Sequence, residues 1–481
     1  MVLLFIAMIV AILAALSLGL VSLATLENNT VIISGRSAQL VQIVYSGIEA
    51  VAQAIDDPQC PDLVNNPERF HSIEVVPAVL TSTALGSGRF TVFSPLCEQD
   101  QVRGVRFGLT RESAKLSLES ILAWETELPG QGVMALEKLP GMTPEICDSI
   151  LDWLDADDDP RPQGAEAPYY KQQQKTYTPR NAVPIALEEL LLIRGVKRPL
   201  LFGEDYQLAF GATQSTLRIK STTSFDTTNP FAELSPSDFD VSNSPGSNSQ
   251  GISTSAWQFL LTPYSAEKLV AATLNEGQTV GRIFLNDSNL EFLESQLLLH
   301  QLDNESVQFI MSWRRVNGNI DDVLDLLGAE ITVDAETISS PFSCSEPAKL
   351  ERFLRLLDET TTESAIVLRG RINVNEAPRP VLEAVPELTP ELVTEILERR
   401  EGNPETRRHA VWLLAEEIVD VEMMRMLSRR LTTGGDVYRI QVAGFFEDKP
   451  MFYRAEAVLD ATVKPPKMVS YKDLTPLTLS E

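Results

Sequence analysis

Residues 2–24 read VLLFIAMIVAILAALSLGLVSLA, with no charge and no proline among 23 residues. About 20 apolar residues suffice to cross a bilayer as a helix. A buried core helix would carry a polar stripe, and this stretch has none. A cleaved signal peptide would have a basic n-region and a shorter apolar centre. The stretch therefore predicts a retained membrane helix, and the rest of the chain hangs from it.

Past Glu27 the apolar residues thin to Leu40, Val41, Ile43, Val44, Ile48, Val51 and Ile55, at helical spacing. Gly35 and Gly47 are the only breaker candidates, so one helix is predicted to continue to Asp56-Asp57-Pro58. Apolar first and amphipathic after is the build of a pilin-like subunit. A single-pass anchor followed by a separate first helix fits the same residues.

The length of 481 residues leaves room for several domains, and 44% hydrophobic against 22% charged residues describes a globular chain. Acidic residues outnumber basic ones 67 to 40, giving a formal charge of −27. Such a surface repels nucleic acid and anionic lipid, and favours cations or basic partners. The four cysteines, Cys60, Cys97, Cys147 and Cys344, are too few for a disulfide framework, and their pairing is open. The three histidines, His71, His300 and His409, show no metal-ligand spacing.

Strand-like runs occur at 71–78, 89–94 and 103–109, and again at 437–446, 452–462 and 467–474. Three C-terminal strands need further partners, so they are predicted to complete the sheet begun by the first three. The intervening chain is mostly helical in pattern, including AEKLVAATLN at 266–275, NLEFLESQLLLHQL and IDDVLDLLG. The fold class is α+β, a long N-terminal helix and an antiparallel sheet with a large inserted all-helical domain. The divisions are 1–25 (membrane part of the helix), 26–110 (its continuation and first strands), 111–220 and 256–435 (two parts of the helical domain) and 436–481 (last strands). Between them, 221–255 is rich in Ser, Thr, Asn and Pro, and predicts a low-complexity linker or long surface loop.

The helical part contains an internal echo. ALEKLPGMTPEICDSILDWL at 135–154 is matched by VLEAVPELTPELVTEILERR at 381–400. In each, Thr-Pro starts a second helix, with Thr143 and Thr389 as N-caps and Pro144 and Pro390 at the first helical position. Each is preceded by a strand-like entry, AKLSL at 114–118 and GRINVN at 370–375. Helix-hairpin-helix modules bind DNA through hairpin glycines and nearby cations. Here Asp148, Asp152 and Asp155 follow the first hairpin and Glu387 replaces the glycine of the second, which argues for protein packing and against nucleic acid.

The richest stretch in ligand chemistry is ILDWLDADDDPRPQGAEAPYY at 150–170. Six acidic residues from Asp152 to Glu166 face one Arg161, and Pro160 and Pro162 keep the loop from becoming helix. Asp155, Asp157 and Asp159 alternate, with Glu166 returning after the proline turn. Crowded carboxylates repel unless a hard cation sits among them, and oxygen ligands suit calcium. Glycine and glutamate do not fall where an EF-hand loop needs them, and a solvated acidic loop fits the same residues. No nucleophile elbow, phosphate-binding Gly loop, HExxH or Cys-x-x-Cys is present, which argues against an enzyme.

Trp153 to Tyr170, Asn181, and Glu189 to Gly195 closely resemble the pattern of general secretion pathway protein K, a minor pseudopilin family of the type II secretion system. That pattern is W-x-D-x-D-D-x-x-R-P-x-G-A-E-x-x-Y-Y, then an asparagine, then E-L-x-x-(V/I)-x-G. RINVNEAPRPVLEAVP at 371–386 resembles a second segment of the family. The resemblance implies a pseudopilin fold and a place at the pseudopilus tip, assembled with other minor pseudopilins on the inner-membrane secretion platform. It implies an inner-membrane anchor at residues 2–24, a periplasmic soluble region, and bound calcium, for which Asp155, Asp157, Asp159 and Glu166 are the ligand candidates. It also implies a short basic leader cut by a prepilin peptidase, and Met1 stands directly against the apolar run. Phe5, where most pseudopilins carry glutamate, agrees with the K subunit. The alternative is a pilin-like subunit of a type IV pilus or DNA-uptake system.

Overall fold

The computed structural model describes residues 2–57, 60, 62–75, 88–98, 101–203, 252–253, 255–271, 280–400, 407–446 and 451–475. Its N-terminal helix runs unbroken from Val2 to Asp56. In its first part the described side chains from Ile6 to Ser34 are exposed, as at Leu13, Leu16, Leu20 and Val31. It is the one helix among the described residues long and apolar enough to cross a membrane. From Leu40 the character changes: Leu40, Ile43, Val44, Ile48, Val51 and Ala54 are buried. Their spacing of three and four residues makes one stripe, and that stripe lies on a sheet.

The sheet is antiparallel. Its order is Lys467–Asp473, Phe452–Asp460, Val437–Phe446, Gly88–Glu98, Gln101–Arg106, Ile252–Ser253. Val437–Phe446 joins the two ends of the chain, since Val442 pairs with Val92 on one side and Ala455 on the other. The described residues between Arg111 and Val437 lie outside this sheet, apart from Ile252–Ser253. Phe90, Val92, Phe107, Ile440, Val442 and Phe445 meet the helix stripe in one apolar core. Two glycines set how closely helix and sheet approach. A Cβ on Gly47 would lie 2.7 Å from Val442 Cγ1, and one on Gly444 would lie 3.0 Å from Ile43 and Val44 methyls.

Among the described residues helices dominate the excursion, and five two-stranded ribbons accompany them. Its core is separate from that of the sheet and runs from Leu116 to Leu431. AEKLVAATLN departs from its helical reading: Ala266–Lys268 is a strand paired with Val367–Arg369. The apolar residues there match helical spacing, but short runs are ambiguous, and pairing together with a 2.7 Å bond from Lys268 N–H to Asp436 fixes the extended form. Most of the 221–255 linker lies outside the described residues; within it Ile252–Ser253 pairs with Gln101–Val102 at the sheet edge. None of the four cysteines is bonded to another.

The sequence echo is structural. Gln131–Glu137 turns into Pro144–Leu154, and Arg379–Glu383 turns into Pro390–Arg399. Thr143 and Thr389 cap the second helices, accepting from the Ile146 and Leu392 N–H groups at 3.3 and 3.4 Å. Each unit has a second one behind it that the sequence reading did not find. Leu187–Leu192 turns into Arg198–Phe202, and Trp412–Ala415 turns into Val421–Ser428. All four turns carry one left-handed residue: Gly141, Gly195, Glu387 and Glu417. Each pair is closed by a short parallel ribbon, Leu116–Ser117 with Leu261–Thr262 and Ile372–Asn373 with Leu431–Thr432.

A buried ionic knot sits where the excursion leaves the sheet. Arg439 Nε donates to Glu112 Oε1 at 2.8 Å and its Nη1 to Glu456 Oε1 at 2.5 Å. Lys115 Nζ donates to Glu112 at 2.9 Å, and the Thr262 hydroxyl donates to the same carboxylate. Burial alone would raise the Glu112 carboxyl, but Arg439 and Lys115 hold it well below the usual carboxylate range.

Candidate metal centre

The acidic loop starts where the helix Pro144–Leu154 ends, with Asp155 as an extended C-cap. It is braced from inside. Fully buried Asp152 accepts from the Arg161 N–H at 3.2 Å, and Arg161 Nη1 donates to Glu125 at 3.0 Å. The other Glu125 oxygen accepts from the N–H groups of Gly130 and Gly132, both at 2.9 Å. Gly164 lies against Asp152, where a Cβ would come within 1.9 Å of Oδ2. Trp153 and Tyr170 stack edge to face at 5.3 Å and close the base of the loop.

This frame brings Asp155, Asp157 and Glu166 together, with one oxygen of each within 4.8 Å of the others. Asp159 lies outside that trio. Its N–H donates to Asp157 Oδ1 at 2.9 Å, turning the chain where the sequence suggested simple alternation. Glu166 is 2% exposed, yet neither of its carboxylate oxygens has a hydrogen-bond partner. Oδ1 of Asp155 is buried without a partner too. Buried polar atoms are normally paired, and carboxylates above all.

Burial, then Asp152, Asp155 and Asp158, push the Glu166 carboxyl up to about 7. Burial, then Asp157 and Asp152, push Asp155 up to about 6. Such a trio must either take up protons or hold a cation. Its donors are all hard oxygens, with no thiol or imidazole among them, and that set fits calcium or another hard divalent ion. Asn181 joins the same loop, donating from Nδ2 to the Asp157 carbonyl at 2.8 Å and to Asp158 Oδ1 at 3.3 Å. The family pattern already singled out Asn181 by position, but nothing in the sequence tied its side chain to the acidic loop.

Among the described residues, then, a long apolar helix is seated on an antiparallel sheet, and a mainly helical excursion carries this loop. Residues 131–201, which hold the first two helix-turn-helix units and the loop between them, match the family model of type II secretion system protein K. A chain from the crystal structure of the GspK–GspI–GspJ complex of the enterotoxigenic Escherichia coli type 2 secretion system aligns over 92% of this chain and 97% of its own. The identity is 10% and the TM-score 0.40, too low a score to establish a shared fold. No curated protein matches the chain.

Proposed function

We propose that this protein is a minor pseudopilin at the tip of a type II secretion pseudopilus. The observation that carries the reading is the protein K match at 131–201, on a chain that begins with an apolar helix. In this reading residues 2–24 anchor the subunit in the inner membrane and the rest folds in the periplasm. The helical excursion outgrows the helix-and-sheet part and would obstruct any subunit stacked above it, which suits an end position. Other minor pseudopilins, of the kind named in the GspK–GspI–GspJ complex, are its partners, with the inner-membrane platform below. Its work is assembly, without catalysis.

Calcium at Asp155, Asp157 and Glu166 belongs to the same reading. The unpartnered Glu166 oxygens support it. The ion would cross-link the loop and neutralise its carboxylates, supplying rigidity and no chemistry. Deleting the gene and restoring it on a plasmid tests the function: export of the type II substrates should stop and resume. Intact export with lost DNA uptake would instead favour the type IV pilus alternative.

A further inference from the structure

We infer that Asn181 is a further ligand of the cation, through its side-chain oxygen. The ion would then tie the acidic loop to the second helix-turn-helix unit. This rests on the calcium reading above and adds a residue from outside the acidic run.

The amide orientation is fixed by its surroundings. Two acceptors, the Asp157 carbonyl and Asp158 Oδ1, face Nδ2, so the nitrogen must point at them. The remaining atom, Oδ1, is buried and has no hydrogen-bond partner. It is thus in the same state as the oxygens of Glu166 and Asp155, and its own residue is bonded to Asp157 of the trio. Its backbone is left-handed, φ 52°, a conformation asparagine tolerates better than most residues.

Asn181 is also held firmly enough to serve. Its neighbour Arg180 forms two bonds to Glu189, at 2.6 and 2.9 Å. Glu189 in turn accepts from Trp153 Nε1 at 3.2 Å. The segment is therefore locked to the helix that leads into the loop on one side and to Leu187–Leu192 on the other. Calcium takes six to eight oxygens, and a neutral amide oxygen completes part of that shell without adding to the crowded charge.

The test uses the full chain in detergent with terbium(III) in place of calcium. Luminescence lifetimes in H₂O and D₂O count the waters on the bound ion. Asn181→Ala should add one water and weaken calcium binding on the order of tenfold or more. Asn181→Gly, which suits the left-handed backbone, should do the same and serves if the alanine variant folds poorly. Asn181→Asp keeps an oxygen but loses the donor, so its water count should stay at the wild-type value. Unchanged water counts and affinity in the alanine and glycine variants would overturn the assignment. A wild-type chain that binds neither ion would overturn the calcium reading itself.

Discussion

Gly141 and Glu387 hold the same backbone angle, φ 75° and 74°, at the same step of two helix-turn-helix units. One is the residue that adopts this conformation freely and the other is not. Glu387 is held there by Arg430, whose Nε lies 3.4 Å from its carboxylate, with Arg430 resting over the Trp124 ring. Gly141→Ala should therefore cost about 1–2 kcal/mol from backbone strain alone. The added Cβ would also lie 2.5 Å from Leu200. Glu387→Gly should stay within about 1 kcal/mol of wild type, because relief of strain offsets the lost ion pair. Thermal unfolding of the two variants separates them, and equal losses would mean the angle carries no strain at Glu387.

The ionic knot at the root of the excursion predicts a larger effect. Arg439→Ala leaves the Glu112 carboxylate buried beside Lys115 alone, and removing one partner of a buried pair costs about 3–5 kcal/mol. Replacing the whole knot, as Glu112→Leu, Lys115→Met, Arg439→Met and Glu456→Gln together, should recover most of that loss because none of its four charges is left buried without a partner. Denaturant midpoints for the single and quadruple variants read the difference. A quadruple variant as unstable as the single one would show that packing, not charge, holds the junction.

Gly47 predicts a third outcome. Its missing side chain is what lets the helix stripe rest on Val442 and Phe90, and the 2.7 Å approach leaves no room for a methyl group. Gly47→Val should cost about 1–3 kcal/mol by overpacking, even though valine is no worse than glycine for helix formation. Gly35, with nothing within 4 Å, should accept alanine without loss of stability. Melting temperatures of the two variants check the contrast.

These cases mark what the residues announce and what they hide. The helix from Val2 to Asp56 was legible because one unbroken apolar run passes into a stripe at helical spacing. The paired units at 135–154 and 381–400 were legible because Thr-Pro caps repeat between apolar residues. Their companions were not, since Leu187–Leu192 is a tight 3₁₀ turn and Trp412–Ala415 a single helical turn, too short for periodicity to register. A shared signal exists in hindsight: an apolar residue two places before the left-handed one, as at Leu139, Ile193 and Val385. Glu112 and Arg439 stand 327 residues apart, and no local pattern joins them. In the acidic loop, composition pointed to Asp155, Asp157 and Glu166. The turn that sets Asp159 aside, and the approach of Asn181, depend on hydrogen bonds that alternation cannot encode.

The last prediction concerns proton and cation at Glu166. Its carboxyl is raised from near 4.5 to about 7 in the folded chain, while the unfolded chain keeps the ordinary value. A raised acid favours folding below the unfolded value, and that contribution is lost as pH climbs through the folded one. Without a divalent cation, the melting temperature should therefore fall between pH 5.5 and 7.5 by more in the wild type than in Glu166→Gln, which cannot titrate. Asp155, raised to about 6, loses its share over the lower part of the same window. A bound cation reverses the balance, because it needs the deprotonated oxygens that destabilise the empty site. Added calcium should raise the melting temperature more at pH 7.5 than at 5.5, in proportion to the logarithm of its concentration, and should release protons as it binds. Glu166→Gln should lose most of that gain. A calcium effect equal at both pH values, or unchanged in Glu166→Gln, would mean the ion does not sit on this carboxylate.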